Sequence, residues 1–226
     1  MIDFQLLIDY HDLILEGLWN TVWICFLGCL IAVALGLVLA VLRLTFPRLL
    51  GWFVASWVEI ARGVPLLVIL FVLYYGGPSF GLRLDAATAG VLGIGLYGAG
   101  DFAEIFRGGF KSIPAGHVEA ARMLGISRLG SLRRVEVPQM LRLIVPPSTN
   151  QLVILIKESA LLSVISVNDL TKNATDIVNQ TFVVIEPYIA VALLYWLLIE
   201  LVARGGYALE RRLATASERG LRNANR

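Results

Sequence analysis

The chain has 226 residues, of which 58% are hydrophobic and 16% are charged. Soluble domains are about 45–50% apolar, so this composition and a mean hydropathy of +0.76 exclude an ordinary soluble protein. The formal net charge is only +2, which argues against a nucleic-acid partner. The sequence predicts an integral membrane protein surrounded by membrane lipid.

The apolar residues fall into segments long enough to cross a bilayer, which takes about 20 residues in a helix. In chain order these segments lie at roughly 18–42, 50–77, 86–106, 148–167 and 187–204. We therefore predict an all-α membrane protein with five transmembrane helices in a single domain, residues 1–226.

The first span follows an acidic stretch, unlike the basic start of a removable signal peptide, so we expect this helix to remain. Its small residues recur at every fourth position: Gly28, Ala32, Gly36 and Ala40. Such a stripe lets another helix approach closely. It predicts a tight helix pair or a subunit interface.

The second segment is interrupted by Glu59, Arg62, Gly63 and Pro65. Proline within a helix removes a backbone hydrogen bond, so Gly63 and Pro65 favour a broken helix. Two placements remain open for residues 49–61: along the cytoplasmic interface, or within the crossing itself.

The basic residues indicate orientation, because cytoplasmic loops are enriched in Lys and Arg. Most of them follow the first, third and fifth spans: Arg43, Arg48, Arg107, Lys111, Arg122, Arg128, Arg133, Arg134, Arg142 and the arginines from Arg204 to Arg226. We predict a cytoplasmic C-terminus. The acidic N-terminus, with Asp3, Asp9, Asp12 and Glu16, is predicted to face out.

The loop at 107–142 contains an organised segment from 113 onward. Pro114 suits the first turn of a helix, and Gly125 is placed to end that helix in a left-handed conformation. Ser127 then caps a second short helix running toward Pro138. Composition leaves two interpretations open: a helix, turn and helix presented to the cytoplasm, or a basic amphipathic loop on anionic lipid.

Lys157 and Glu158 place two charges inside the fourth span, where an ionised residue costs at least roughly 2.5–3.5 kcal/mol. The proline pair at 146–147 is expected to break or kink the start of this span, which puts Lys157 near mid-depth. Asn150 and Gln151 precede Lys157 and Glu158 by seven residues and share their respective faces. Two polar strips are therefore predicted on this helix.

Other spans also carry polar groups. In the third span, Tyr97, Asp101 and Glu104 fall at i, i+4 and i+7. In the second, Glu59 and Arg62 lie one turn apart and are able to pair.

These groups suggest a site for an α-amino acid. Lys157 or Arg62 would attract its carboxylate, and Glu158 or Asp101 its ammonium group. The alternative is that Lys157 and Glu158 only neutralise charges on neighbouring helices and lock subunits together.

The segment "EAARMLGISRLGSLRRVEVP" resembles the EAA signature of permease subunits of ATP-binding-cassette importers. Glu119, Ala120 and Ala121 are followed by three residues, then Gly125, and then nine residues before a hydrophobic-x-hydrophobic-Pro ending at Pro138. Further stretches resemble the polar amino acid branch of that family: 61–76, 103–125, 137–159 and 209–213. The resemblance spans roughly 17–213 and implies a type I importer permease bundle in a cell inner membrane.

In that family, the short helix of the EAA loop docks in a groove of a cytoplasmic ATPase. The resemblance therefore implies two ATP-binding subunits, a second permease subunit that is identical or homologous, and an extracytoplasmic solute-binding protein. It also implies that Glu119 is a charged anchor, that Ala120 and Ala121 keep the helix slim, and that Gly125 turns the chain.

The sequence departs from the family pattern at Tyr97 and Asp101, where the family usually has Asn and an aromatic or small residue. The extra carboxylate favours a cationic or larger polar amino acid as the substrate.

This chain is not expected to be an enzyme or to hold a cofactor. A P-loop requires Gly-Lys followed by Ser or Thr, and none of the lysines (Lys111, Lys157 and Lys172) follows a glycine. ATP and Mg are thus assigned to the partner ATPase. His11 and His117 lie far apart in the sequence, and no metal site is predicted.

Two other classes of protein are possible for such a chain. An ion-coupled secondary amino acid carrier would also place charges at mid-membrane, but it would normally show an internal repeat. A membrane-embedded enzyme would need a nucleophile and base, or a metal, at membrane depth.

Overall fold

The computed structural model describes residues 4–48 and 50–224, with side chains described from residue 5 to residue 214. The described chain is helical: α1 (Phe4–Asp9), α2 (His11–Thr45), α3 (Gly51–Gly63), α4 (Leu66–Phe71), α5 (Ala86–Lys111), α6 (Ala115–Met123), α7 (Arg128–Ser131), α8 (Val137–Glu158), α9 (Leu170–Thr181) and α10 (Ile185–Ala224). Asp3 and Arg226, which mark the predicted outer and inner termini, lie outside the described residues.

The centre of the bundle is the contact between α2 and α5. All four members of the small-residue stripe on α2 are buried. A Cβ atom added at Gly36 would stand 2.5 Å from Cβ of Phe102, which is itself fully buried on α5. The predicted tight helix pair is therefore confirmed, and α5 is the partner.

The second predicted span is broken where its sequence indicates. Helix α3 ends at Gly63, Val64 is extended, and α4 begins after Pro65. A π-helical turn, Val72–Gly76, and a 3₁₀ turn, Gly77–Phe80, continue α4. The two halves of the segment meet at 102°, so α3 lies nearly perpendicular to the helical piece that follows.

The loop between α5 and α8 forms the predicted helix and sharp turn. Gly125 has a φ of 73°, the left-handed conformation that glycine adopts without strain. Its N–H donates to the carbonyl of Arg122 at 2.9 Å, and the N–H of Ile126 donates to the carbonyl of Ala121 at 3.0 Å. This pair of bonds is the Schellman motif that ends helices at glycine.

The second helix of the loop runs toward Pro138, as predicted, and the helical path continues beyond it. Ser127 caps α7 as expected, accepting from the N–H of Gly130 at 3.2 Å. A π-helical turn, Leu132–Glu136, then leads directly into α8, with Pro138 in its first turn.

Of the break or kink predicted at Pro146 and Pro147, the break does not occur, because α8 continues through both residues. A proline φ is compatible with a helix, although each proline removes one hydrogen bond. Packing of α8 against α5 and α10 maintains the helical path.

The α-helical part of the fourth predicted span ends earlier than expected. Helix α8 stops at Glu158, and the 3₁₀ turn Ser159–Ile165 follows and ends at Ser166, whose φ is 62°. Lys157 therefore lies in the last turn of α8 and not in the middle of a regular helix.

Helix α9 is attached to the beginning of α2. The side chain of Asp169 caps α9 by accepting from the N–H of Lys172 at 2.8 Å. The N–H of Leu170 donates to Oγ1 of Thr21 at 3.1 Å, and Asn173 Nδ2 donates to the carbonyl of Leu13 at 2.7 Å. Helix α10 then returns along α8 and α9.

Two of the described helices, α2 and the part of α10 from Ile185 to Ala214, are each long and apolar enough to cross a membrane. The number rises to four if each bent pair forms one span: α3 with the piece after it, and Arg128–Ile165 with α9. The central helix α5, with its glycines and acidic residues, is not among them. The fold is thus an all-helical bundle with several membrane-spanning candidates.

Candidate substrate pathway and coupling module

Polar side chains from α3 and α8 meet at Asp101 of α5, where the Arg62 side chain is 50% exposed and that of Asp101 is 26% exposed. Arg62, in the last turn of α3, donates from Nε to Oδ1 of Asp101 on α5 at 2.8 Å. Gln151, on α8, donates from Nε2 to the other carboxylate oxygen of Asp101 at 3.0 Å. We call Arg62, Asp101 and Gln151 the polar cluster.

Close helix packing allows this meeting. Gly100 precedes Asp101, and a Cβ atom there would stand 2.9 Å from Cγ of Arg62. The absence of a side chain on Gly100 lets the Arg62 stem lie across α5. Glu59 is near enough in sequence to pair with Arg62, but the partner of Arg62 is Asp101, 39 residues away.

Two more predicted site residues lie beside the polar cluster. Tyr97 lies one helical turn before Asp101 on α5, and its hydroxyl is near the carboxyl groups of Asp101 and Glu158. Glu158 is half-buried and forms no hydrogen bond or ion pair with another described residue. Tyr97, Asp101 and Glu158 thus share one region, which includes a carboxylate with unused hydrogen-bonding capacity.

The two strips predicted on α8 differ in exposure. Asn150 and Lys157 are exposed, whereas Gln151 is buried and Glu158 is half-buried. Lys157 has no ion-pair partner among the described side chains. An ammonium group is too costly to leave facing hydrocarbon, so this face requires water, a substrate or another protein subunit.

Asn150 and Glu104 are not part of the polar cluster. Asn150 lines a cavity of about 290 Å³ between α8 and α10, together with Thr149, Tyr207 and Glu210. Glu104 accepts hydrogen bonds from Arg43 at the end of α2 and from Nε of Arg107 at 2.9 Å on its own helix. Its carboxylate is therefore engaged in joining α2 to α5.

The polar cluster combines groups suited to a zwitterion. Nε of Arg62 is engaged with Asp101, while its two terminal NH₂ groups retain donors in the geometry that binds a carboxylate. Glu158 offers acceptors for an ammonium group. Asp101 is already occupied by Arg62 and Gln151, so a substrate ammonium would have to compete for it.

The EAA segment lies on α6 and the turn after it, and it forms a surface that is separate from the polar cluster. On α6, Glu119 and Ala120 are exposed, whereas Ala121 is buried. Met123 and Leu124 at the end of α6 are 88% and 79% exposed. Two large apolar side chains so exposed beside the rigid Gly125 turn indicate a protein-binding surface.

Sequence reasoning did not predict the contacts of two residues, Gln151 and Arg43. Gln151 was visible as a strip residue, but its bond to Asp101 depends on how α8 packs against α5. Arg43 appeared only as one of the basic residues of an inner loop, and no local pattern predicts its contact with Glu104, 61 residues away. The described residues contain no group of His, Cys, Asp and Glu side chains that could hold a metal ion.

A helical bundle with apolar spans, a polar cluster shared by three helices and an exposed helix and turn is typical of a membrane transport subunit that binds another protein. Residues 32–215 match the family described as "Binding-protein-dependent transport system inner membrane component", and the chain belongs to that family. It is an inner-membrane permease subunit of an ATP-binding-cassette importer, not an enzyme, and ATP hydrolysis in this family resides on a separate chain.

Curated relatives extend over nearly the whole chain. The glutamine transport system permease protein GlnP of Escherichia coli strain K12 is 36% identical over 208 residues, covering 89% of this chain and 93% of that protein. The arginine transport system permease protein ArtQ of Bacillus subtilis strain 168 is 32% identical over 213 residues, covering 94% and 97%.

Solved structures agree in fold. A chain from the crystal structure of an amino acid ABC transporter with histidines is 34% identical, with a TM-score of 0.86 over 94% of this chain and 99% of that one. A chain of the MetNI methionine ABC transporter, in an inward-facing conformation, has a TM-score of 0.77 at 21% identity, with 91% and 98% covered. This second likeness supports the fold alone.

Proposed function

We propose that this chain forms half of the translocation path for a polar amino acid, with a cationic one favoured, and that it receives the force of ATP hydrolysis through α6. The observation that carries the proposal is the meeting of Arg62, Asp101 and Gln151 from three different helices, in the same region as Glu158. An amino acid supplies the carboxylate and ammonium groups that complement these side chains. Relatives named for glutamine and arginine transport support this substrate class.

The chain is proposed to be one permease domain, residues 1–226, with five crossings. Helix α5 is proposed as the fifth crossing, in addition to the four candidate spans described above. Its inner position between α2, α3 and α8 keeps Asp101 and Glu104 away from lipid, so it does not need an apolar surface all round. The distribution of basic residues supports an outward N-terminus and a cytoplasmic C-terminus.

The proposed assembly contains a second permease subunit, identical or homologous, two ATP-binding subunits and an extracytoplasmic solute-binding protein. One bundle leaves Lys157 exposed and without an ion-pair partner among the described residues, and a second bundle facing it would enclose that side chain in a water-filled passage. ATP and Mg would bind the ATPase subunits, and this chain would hold no cofactor.

In the proposed mechanism, closure of the ATPase pair moves α6 together with the Gly125 turn, and this motion opens the outer side of the passage. The substrate carboxylate then meets the free donors of Arg62 or the ammonium of Lys157, while Glu158 accepts from the substrate ammonium. Hydrolysis of ATP resets the inward-open state, as alternating access requires.

A second role for Lys157 and Glu158 is internal pairing across the two permease subunits. The observation that favours it is the pairing already present nearby, where Arg62, Asp101 and Gln151 bond to one another without any ligand. In this role the charges of Lys157 and Glu158 would fix how the two subunits assemble and would not contact the substrate.

The test is transport by the complete complex in proteoliposomes. Radiolabelled L-arginine and L-glutamine are supplied with the binding protein, and uptake is measured with ATP, without ATP, and with an ATPase subunit that cannot hydrolyse it. We expect ATP-dependent uptake of at least one of the two. Uptake driven by an ion gradient with no ATPase bound would instead establish the ion-coupled carrier.

A further inference from the structure

Helix α8 connects the two functional regions of this chain. Gln139 lies in its first turn, beside the cytoplasmic loop, and Gln151, Lys157 and Glu158 lie toward its other end. At 1.5 Å per residue, the 18 residues from Gln139 to Lys157 extend about 27 Å. Displacement of the first turn of α8 therefore displaces the side chains of the candidate pathway.

Helix α6, which carries the EAA motif and is called the EAA helix below, contacts the first turn of α8 directly. Nδ1 of His117, on α6, lies 2.9 Å from Oε1 of Gln139. An amide oxygen only accepts, so the imidazole donates through Nδ1–H. His117 is two residues from Glu119 and close to the exposed surface that the proposed function assigns to the ATPase.

The covalent route between the same two residues is indirect. From His117 the chain passes the left-handed Gly125, the four-residue helix α7 and the π-helical turn Leu132–Glu136 before it reaches Gln139. Helix α6 also packs against α7 and the π-helical turn. The hydrogen bond adds a direct connection from α6 to α8, so a shift of α6 can reach α8 without passing through those intervening elements.

We infer that the hydrogen bond between His117 and Gln139 transmits the movement of the EAA helix to α8, and that both are positioning residues for ATP-coupled transport. The inference rests on the proposed function. Neither residue touches the substrate, and the bond acts by fixing where α8 lies when α6 moves.

The decisive quantity is the amount of substrate transported per ATP hydrolysed by the complete complex in proteoliposomes. We expect His117→Ala and Gln139→Leu each to lower this ratio about fivefold, the factor that corresponds to one neutral hydrogen bond, while ATP hydrolysis continues. The double variant should be no worse than either single variant, because both remove the same contact.

Two further variants separate transmission from general damage. Gln139→Glu keeps an acceptor oxygen and should restore most of the ratio. Leu143→Ala removes an exposed side chain one turn further along α8 and should leave the ratio unchanged. The ATPase subunits should co-purify with every variant.

The inference is overturned if the single variants transport as much per ATP as the wild type, if their losses add in the double variant, or if Gln139→Glu restores nothing. It is also overturned if either single variant loses its ATPase subunits, since the bond would then serve docking. Wild-type complex without ATP-dependent uptake would refute the proposed function itself, and the inference with it.

Discussion

Arg62 pairs with Asp101, 39 residues away and at 2.8 Å, and not with Glu59, three residues away on its own helix. The choice follows from the packing of α3 against α5, where Gly100 leaves room for the Arg62 stem. Asp101 thereby joins α3 to α8 through its two carboxylate oxygens.

The first prediction concerns this shared carboxylate. Asp101→Ala leaves both Arg62 and Gln151 without their acceptor, and hydrogen bonds to charged groups contribute about 1.5–3 kcal/mol each. We expect ATP-dependent uptake to fall by at least about tenfold, with Asp101→Asn intermediate because one acceptor oxygen remains. The matched control is Asp176→Asn, which breaks the pair between Asp176 and Lys172 on α9; an equal loss in that variant would contradict a special role for Asp101.

The second prediction separates substrate contact from internal pairing at Lys157. If its ammonium binds the substrate carboxylate, Lys157→Ala should raise the substrate concentration for half-maximal ATPase stimulation by about tenfold, the loss of one charge-assisted bond. Lys157→Arg should restore part of the affinity. Lys172→Ala serves as the control, and an unchanged concentration dependence in Lys157→Ala would favour internal pairing.

The third prediction concerns the turn after α6. Gly125 has a φ of 73° and nothing within 4 Å of an added Cβ, so only backbone strain decides the outcome of a substitution. Gly125→Val should cost about 1–2 kcal/mol and lower transport per ATP, while binding of the solute-binding protein persists. Asparagine tolerates the left-handed conformation, and Gly125→Asn should remain close to wild type; wild-type transport by Gly125→Val would argue against a coupling role.

The fourth prediction tests the central helix pair. A methyl group at Gly36 collides with Phe102, and such overpacking costs about 1–3 kcal/mol. We expect Gly36→Ala to lower the thermal unfolding temperature of the detergent-solubilised protein by several degrees. Gly108→Ala on α5 adds the same methyl group where nothing lies within 4 Å, and it should be neutral or slightly stabilising. Equal melting of both variants would refute the close contact.

The sequence predicted the features that depend on a few consecutive residues. Gly63 and Pro65 broke the second segment, Ser127 capped α7, and Gly125 adopted the left-handed turn. In each case the conformational preference or hydrogen-bonding capacity of one residue decides the backbone.

Predictions from the sequence were wrong where packing between helices overrides a local backbone preference. The prolines at 146 and 147 disfavour a helix by themselves, yet α8 continues through them because neighbouring helices hold it. The helix also ends at Glu158, well before its apolar run does. Apolar length predicts how far a segment extends in lipid and leaves its backbone conformation undetermined.

The sequence by itself determined the class of the protein, the EAA segment, and which side chains are too polar to face lipid. Only the tertiary structure decided their partners: Arg62 with Asp101, Glu104 with Arg43, and His117 with Gln139. The physical reason is the distance along the chain over which each effect acts. Hydropathy and backbone preference act over one or two helical turns, whereas these pairs join positions 22 to 61 residues apart, and only the packing of whole helices brings them together.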